Sequence, residues 1–354
     1  MKRYIELNGR RIGAGYPTYV VAEISANHGR NLGTAVKLVK AAKEAGADSV
    51  KLQTYTPDTL TIRSDKELFR ITGGTPWEGR SLYDLYAEAY MPWEWQPRLK
   101  SVADELGMDL FSTAFDPTAV DFLEEMNVAA HKVASFELVD LALIEKMSRT
   151  GKPLIISTGM ATLGEIEEAV EAARKSGATQ IALLKCSSAY PAPFEEMNLR
   201  SIPDLAEIFH VPVGISDHTL GIAVPVAAVA LGACIVEKHL TISRNIRGPD
   251  SAFSLEPSEF KAMVDMIRQA EKALGETRYG VGTEEAKTRI LRRSLFVVKD
   301  VKAGESFTVE NVRSIRPGYG LHPRHMNEIL GRKASQDIAR GTPLTWTLVA
   351  GNKR

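Results

Sequence analysis

Short apolar runs alternate with helical stretches along the first two-thirds of the chain. Eight such runs precede residue 242, and the spacers between several of them carry a helical pattern closed by glycine, as in TAVKLVKAAKEAG and LGEIEEAVEAARKSG. The runs are TYVVAEIS (18–25), DSVKLQT (48–54), MDLFSTAF (108–115), AHKVAS (130–135), PLIISTG (153–159), IALLKCS (181–187), VPVGISDH (211–218) and CIVEKHLT (234–241). Continuous apolar strands that alternate with helices indicate a parallel sheet covered on both faces. Eight units predict a closed (β/α)8 barrel, with a doubly wound open sheet as the alternative.

The pattern changes near Arg293, after which short strands and turns replace the helices. We therefore predict a barrel over residues 1–274, a linker over 275–292 and a small β-rich module over 293–354. The connection from Thr56 to Leu99 is unusually long and holds three of the four tryptophans. Long connections of this kind are often lids or binding loops, although a surface loop held together by its aromatic residues is an equal alternative.

Polar side chains capable of chemistry gather at the carboxyl ends of all eight predicted strands. Barrel enzymes place their active sites at this end, so these residues form the candidate site. In chain order they are Glu23, Asn27 and His28; Lys51 and Gln53; Ser112 and Thr113; Lys132 and Ser135; Ser157 and Thr158; Lys185, Ser187, Ser188 and Tyr190; Ser216, Asp217 and His218; and Glu237, Lys238 and His239.

Charge and cysteine content limit the binding partners and the cellular compartment that we expect. Lys and Arg total 44 and so do Asp and Glu, which gives no general electrostatic reason to bind nucleic acid or an anionic membrane. Cys186 and Cys234 are the only cysteines, which suits a reducing cytoplasm. The start MKRYIELNGRRIG lacks the apolar core of a signal peptide, and the most apolar window, residues 222–236, is too short for a bilayer span. We expect a cytoplasmic enzyme.

Ser216, Asp217 and His218 stand side by side and suggest a hydrolase triad. Successive strand residues point to opposite faces, however, so Asp217 points away from its neighbours and the triad is rejected. His218 and His239 end adjacent strands, so their imidazoles can converge on one metal ion. Nearby carboxylates such as Glu23, Asp217 or Asp250 would assist the histidines as metal ligands. The remaining coordination positions would stay open for water and substrate, which suits a Lewis-acid metal better than structural zinc.

Three rim lysines, Lys51, Lys132 and Lys185, suggest an anion site. With hydroxyls from Thr113, Ser135, Ser157 and Ser216, they would suit phosphate or carboxylate groups. Inward lysines without carboxylate partners would be costly unless an anion completed them. A Schiff-base lysine, Lys132 or Lys238, is the alternative, although alternation turns Lys238 toward the helices.

Many segments in barrel order resemble the sialic acid synthases, which condense phosphoenolpyruvate with an N-acylated amino sugar. They are AEISANHGRNLGTA, VKLQTYTPDTL, FSTAFD, HKVASFEL, KPLIISTGMATLGEI, LLKCSSAYPAP, VGISDHTLG, EKHLT, GPDSAFSLEP, RRSLFVVKDVKAGESFTVENVRSIRPGYG and ILGRKASQDI. The resemblance implies a TIM barrel followed by an antifreeze-like (SAF) domain, in a domain-swapped homodimer.

The resemblance also implies roles for individual residues. His218 and His239 would bind a divalent metal, Mn²⁺ first and Mg²⁺ or Co²⁺ as alternatives. Phosphoenolpyruvate would be held by Lys51, Thr113, Lys132, Ser135, Ser157, Ser188 and Ser216, with Ser188 standing where the family commonly carries asparagine. The sugar would contact Glu23, Gln53, Tyr190, Asp250 and, from the partner subunit, Arg316. The predicted catalytic residues are Glu23, Lys51, Lys132 and Asp250.

Within the family, the loop GTPWEGRSLYDLYAEAYMPWEW and the segment GPDSAFSLEPSEF resemble the pseudaminic acid synthase branch. That branch implies 2,4-diacetamido-2,4,6-trideoxy-L-altrose as the sugar and phosphate release by C–O cleavage. The N-acetylneuraminate and legionaminate branches are the alternatives within the family. A noncatalytic antifreeze-like binding protein is the remote alternative, because it would leave the barrel rim unexplained.

Overall fold

Eight parallel strands close into a barrel in the computed structural model, which describes residues 4–73, 75, 77–246 and 248–351. They follow one another around the barrel in chain order, and the last pairs with the first, which confirms the predicted barrel and excludes the open sheet. A hairpin of β1 (Tyr4–Leu7) and β2 (Arg10–Gly13) precedes them. The barrel strands are β3 (Tyr19–Glu23), β4 (Ser49–Thr54), β5 (Asp109–Ala114), β6 (His131–Val133), β7 (Leu154–Ser157), β8 (Ile181–Cys186), β9 (Val213–Asp217) and β10 (Ile235–His239).

Helices cover the outside of the barrel, and most of them bury an apolar face against the strands. Those of the barrel unit are α1 (Leu32–Glu44), α2 (Pro57–Leu60), α3 (Leu82–Ala89), α4 (Gln96–Glu105), α5 (Pro117–Glu125), α6 (Leu141–Arg149), α7 (Leu163–Lys175), α8 (Ser201–Phe209), α9 (Ala223–Ala230) and α10 (Pro257–Leu274). In the described part of the chain, no helix combines the length and apolar character needed to cross a bilayer.

The amino-terminal hairpin closes the end of the barrel opposite the candidate site. Its turn places Asn8 at φ 45° and Gly9 at φ 82°, which is the left-handed pair that a tight two-residue hairpin requires. The Asn8 amide donates to Asp109 Oδ1 at 2.6 Å, at the amino end of β5. The Asn-Gly pair in the sequence is a signal for this kind of hairpin.

Close approach of β9 and β10 depends on Gly214. A Cβ atom at this position would lie 2.4 Å from the carbonyl oxygen of Ile235 and 2.8 Å from a methyl group of Leu184. Any side chain would therefore push the two strands apart. This contact fixes the spacing of the two strands that carry His218 and His239.

The chain divides into two compact units, Met1–Gly275 and Glu276–Arg354. The second unit contains α11 (Thr283–Thr288), a pair of antiparallel strands, β11 (Ser294–Val297) and β12 (Val312–Ile315), and α12 (Met326–Ile329). Isolated bridges such as Val301–Ile338 extend the pairing. Its own small apolar core includes Leu295, Phe307 and Leu344, each fully buried.

Strand alternation places one buried ion pair of β9 and β10 on the side of the strands that faces the helices. Asp217 on β9 and Lys238 on β10 turn away from the cavity and form an ion pair with both side chains fully buried. Asp217 Oδ1 also accepts a hydrogen bond from the Thr219 amide at 2.9 Å. As alternation predicted, Lys238 is thus a structural residue on the helix side, and Asp217 is its partner.

Replacing Asp217 with asparagine should destabilise the fold, because Lys238 would be left charged and buried without its carboxylate. We expect a loss of about 3–5 kcal/mol in the free energy of unfolding, measured by chemical denaturation. The control is Lys175→Gln, which breaks the solvent-exposed pair with Glu171 and should leave the free energy of unfolding nearly unchanged. Equal costs for the two variants would contradict this account of the pair.

Candidate active site

A cavity of about 570 Å³ opens at the carboxyl ends of the barrel strands. Most side chains predicted from the sequence line it together, although they come from seven different strands and the loops after them. The predicted residues lining it are Lys51, Gln53, Thr113, Lys132, Ser135, Ser157, Ser188, Tyr190, Ser216, His218, His239 and Asp250. The predicted rim site is therefore a single concave site of the size that a small metabolite needs.

Lys51 lies at the floor of the cavity between two carboxylates. Its ammonium group is 2.5 Å from Glu23 Oε2 and 3.2 Å from Glu237 Oε1, and it donates to Thr113 Oγ1 at 3.2 Å. Burial lowers the pKa of Lys51, but the two carboxylates outweigh burial and raise it above the ordinary value. The expectation that rim lysines lack carboxylate partners is therefore wrong for Lys51, because Glu23 and Glu237 both contact its ammonium group.

The carboxyl group of Glu23 is the least exposed charge of this cluster. It is fully buried behind Lys51, where its Oε1 accepts a hydrogen bond from the Ser25 amide at 2.6 Å. Burial raises the pKa of Glu23 to about 7, although Lys51 opposes the shift. A carboxyl group with a pKa near neutrality can both accept and return a proton at physiological pH.

Lys132 provides the positive charge that no carboxylate neutralises directly. Its ammonium group donates to Ser157 Oγ at 2.6 Å and to the Val133 carbonyl at 2.8 Å. Within the described residues, it forms no ion pair. Burial lowers the pKa of Lys132 to about 8. An anion beside it would restore the charged form, so this lysine meets the expectation of a cation that needs a ligand.

Two serine hydroxyls and one glycine shape the adjoining pocket. Ser135 Oγ accepts a hydrogen bond from the Gly159 amide at 3.0 Å, and the buried Ser188 Oγ has no partner among the described residues. A Cβ atom at Gly159 would lie 2.3 Å from Ser188 Oγ and 2.6 Å from Ser135 Oγ. Glycine at this position thus lets the two hydroxyl groups pack against the backbone, and the unpartnered Ser188 hydroxyl is free to donate to a ligand.

The two histidines meet as predicted, with ring centroids 5.3 Å apart. His218 Nδ1 lies 2.8 Å from the Ser187 carbonyl, and His239 Nδ1 lies 3.1 Å from Ser25 Oγ. Neither Nε2 atom has a hydrogen-bond partner in the described part of the chain. Burial holds the pKa of His239 well below its ordinary value, which favours the neutral imidazole that binds metals. The pair can therefore donate two nitrogen ligands.

No group of three or more His, Cys, Asp and Glu side chains with metal-binding geometry occurs among the described residues. Asp250 Oδ2 is the nearest carboxylate oxygen to the pair, 3.8 Å from His239 Nδ1, and it is hydrogen-bonded to Ser25 Oγ. The site thus offers two fixed nitrogen donors and leaves the other positions to substrate and water. This donor set fits a Lewis-acid metal and does not fit a closed structural site.

Aromatic rings build the wall beside the histidines. The Tyr190 ring lies 4.5 Å from His218 and 5.4 Å from Trp77, and Phe253 lies 5.0 Å from His239. Trp77 also donates its indole N–H to the Pro249 carbonyl at 3.0 Å. The long connection after β4 therefore reaches the site, as expected of a binding loop.

Some predicted residues lie outside the cavity. Glu23 does not line the cavity, and it contacts Lys51, which does. Lys185 does not line it either, because its neighbour Cys186 faces inward and Lys185 therefore faces the other side of the strand. Arg316 is exposed in the second compact unit, where it precedes the cis peptide bond to Pro317.

Two further carboxylates belong to the site; Glu237 was among the predicted strand-end residues, and Glu137 was missed in the sequence. Glu237 accepts a hydrogen bond from Ser216 at 2.9 Å and contacts Lys51; its place two residues before His239 already put it on the inner face. Glu137 lines the cavity with Oε2 buried and unpartnered in the described part of the chain, and burial raises its pKa to about 7. It lies in the loop after β6, for which strand alternation gives no orientation.

The model of the NeuB family matches residues 38–279, which is more than half of the chain, and an SAF domain model matches residues 292–350. The chain belongs to the NeuB family. This membership confirms the resemblance to sialic acid synthases. The NeuB-family region spans β4 to β10 and therefore includes most of the cavity.

NeuB-family relatives align with the chain over nearly their whole length. A pseudaminic acid synthase of Campylobacter jejuni is 47% identical over 92% of this chain and 95% of its own, and that of Helicobacter pylori is 46% identical over 93% and 97%. An N,N'-diacetyllegionaminic acid synthase of Legionella pneumophila is 36% identical over 94% and 95%. The crystal structure of an N-acetylneuraminic acid synthetase from Leptospira borgpetersenii, in complex with citrate, gives a TM-score of 0.71 at 31% identity, over 80% of this chain and 94% of that one.

Replacing Gly159 with alanine should fill the pocket between Ser135 and Ser188. We expect phosphoenolpyruvate to bind at least about tenfold more weakly by calorimetry, because the new methyl group displaces both hydroxyls. The matched control is Gly164→Ala, where a Cβ atom meets nothing within 4 Å. Wild-type affinity in the Gly159 variant would show that no ligand occupies this pocket.

Proposed function

We propose that the chain catalyses the metal-dependent condensation of phosphoenolpyruvate with 2,4-diacetamido-2,4,6-trideoxy-L-altrose, giving pseudaminic acid and phosphate. The observation that carries the proposal is the 47% identity to a pseudaminic acid synthase over 92% of the chain, against 36% to a legionaminate synthase. The cavity supports it, since it combines a cationic floor, a row of hydroxyl groups and two histidines. We retain the division into a barrel over 1–274, a linker over 275–292 and an SAF domain over 293–354 as part of the proposal.

Phosphoenolpyruvate occupies the cationic side of the cavity. Lys132 and Lys51 neutralise its phosphate and carboxylate groups, and buried hydroxyls donate hydrogen bonds to their oxygens. Charge balance supports Lys132 as the main partner of the anion, because Lys51 is already paired with two carboxylates whereas Lys132 is not. The hydroxyl donors are Thr113, Ser135, Ser157, Ser188 and Ser216.

His218 and His239 hold the metal, for which Mn²⁺ is our first assignment and Mg²⁺ or Co²⁺ the alternatives. When bound, the ion supplies Lewis-acid polarisation of the sugar's aldehyde oxygen. Tyr190, Gln53 and Asp250 orient the open-chain sugar beside the histidines, since all three line the same cavity.

The reaction joins C3 of phosphoenolpyruvate to C1 of the sugar, and water then adds to C2. The C2–O bond to phosphate breaks as the carbonyl forms, so the phosphate leaves with its bridging oxygen. Glu23 lies behind Lys51, so the proton released by the adding water reaches Glu23 through the Lys51 ammonium group, and its pKa of about 7 suits a general base near neutral pH. Lys51 contacts both Glu23 and the cavity, so it stabilises the carboxylate and the anionic substrate at once.

We also propose a homodimer in which Arg316 of the partner subunit completes the sugar site. Arg316 is exposed and forms no hydrogen bond or ion pair in the described residues, so it is free to bind an acyl group. Mixing inactive Arg316→Ala and His218→Ala subunits should restore part of the activity, because one of the composite sites is then intact. If the mixture stays as inactive as its parents, the shared site is wrong.

Phosphate release tests the proposed substrate directly. With phosphoenolpyruvate and Mn²⁺, we expect turnover of 2,4-diacetamido-2,4,6-trideoxy-L-altrose and little turnover of its D-mannose counterpart or N-acetylmannosamine. A chelator should abolish the activity and added Mn²⁺ should restore it. The legionaminate or neuraminate alternative would be favoured by turnover of one of the other sugars alone.

A further inference from the structure

One wall of the cavity is made by an apolar stripe of helix α3. Leu82, Leu85, Tyr86 and Ala89 all line the cavity, and their spacing of i, i+3, i+4 and i+7 places them on one helix face. Leu60, at the end of α2, and Ile71 line the same cavity. We call the aliphatic set Leu60, Ile71, Leu82, Leu85 and Ala89 the aliphatic wall.

A helix normally buries its apolar stripe against the protein core, whereas α3 turns it toward a cavity that holds ligand. Apolar surface left facing water is unfavourable, so such a wall marks a place where an apolar group binds. The aliphatic wall has no side-chain donor or acceptor, and Tyr86 contributes the one hydroxyl group of the α3 stripe. It therefore differs in kind from the side of the cavity formed by Lys51, Lys132 and the serines.

Helix α3 is held in position by contacts on its other sides. Ser81 caps its start by accepting a hydrogen bond from the Asp84 amide at 3.1 Å. Arg30 donates to the Ala87 carbonyl near its end, and its guanidinium lies 4.5 Å from the Tyr90 ring centroid. The aliphatic wall is thus built in advance of binding, which limits the ordering that a ligand must cause.

We propose that the aliphatic wall is the subsite for the C6 methyl group of the sugar and selects the 6-deoxy substrate. This inference rests on the proposed function. The deoxygenated C6 is the part of the sugar with no polar atom, which suits a wall with no hydrogen-bonding side chain. An acetamido methyl group is attached directly to an amide. That amide needs hydrogen-bond donors and acceptors, which the aliphatic wall lacks.

The test compares two sugars that differ only at C6. These are 2,4-diacetamido-2,4,6-trideoxy-L-altrose and the same sugar with a C6 hydroxyl. We expect the wild-type enzyme to prefer the 6-deoxy sugar in kcat/KM by about 10- to 200-fold, the range for one small group in an apolar pocket. Leu82→Asn should reduce this preference by about tenfold, because the amide can bond to the hydroxyl, while Leu82→Met should keep it.

The readouts separate a specificity role from a structural one. The KM for phosphoenolpyruvate should stay within about twofold in every variant, because the anionic side of the cavity is unchanged. The control is Leu68→Asn, the same substitution at a side chain that is 88% exposed and does not line the cavity. Ala89→Ser provides a second variant with a smaller change, should Leu82→Asn fail to fold.

Each result bears on a different claim. An unchanged preference in both Leu82→Asn and Ala89→Ser would overturn the subsite while leaving the proposed function intact. A wild-type enzyme that turns over neither sugar would overturn the proposed function and the subsite with it. A reduced preference in the wall variants, with a wild-type preference in Leu68→Asn, is the result that supports the inference.

Discussion

The buried contact between Lys51 and the carboxylates of Glu23 and Glu237 is the constraint on which the rest of the site depends. Three charges lie inside the barrel, away from water, and each would be costly alone. Together they hold one another in place, and Glu237 extends the network to Ser216. Lys132 has no such partner among the described residues, and in the proposed function it is the charge that attracts an anion. Because the charge of Lys51 is balanced by its two carboxylates, Lys132 is left as the part of the cavity floor available to an anion.

The geometry of β9 and β10 allows this network and the histidine pair to coexist. Alternation sends Ser216, His218, Glu237 and His239 into the cavity and sends the Asp217–Lys238 pair to the helix side. Gly214 permits the close approach of the two strands. In the proposed function, the serine, aspartate and histidine that stand together in the sequence therefore have three separate tasks: contact with the anion site, support of the outer layer and donation of a metal ligand.

Much of the site could be predicted, because the carboxyl ends of β-strands can be located from the sequence. Periodicity places eight strands, the barrel gathers their carboxyl ends, and alternation selects the inward side chains. The same rule places Glu237 on the inner face beside His239, but its ion pair with Lys51 depends on side-chain positions that only the folded structure shows. Glu137 lies in the loop after β6, where no period fixes the direction of a side chain, and the helical period of α3 defines an apolar face without showing that it points to the cavity. The position of α3 depends on contacts with Arg30 and on its cap, which only the folded structure shows.

The central claim is that a buried, partly uncharged lysine becomes fully charged when phosphoenolpyruvate binds. Calorimetric titrations near pH 8, in buffers of different ionisation enthalpy, count the protons exchanged on binding. Since burial lowers the pKa of Lys132 to about 8, the account predicts uptake on the order of half a proton per site. The anion also favours protonation of Glu23, so both groups change in the same direction. Binding with no proton uptake, or with proton release, would contradict the account.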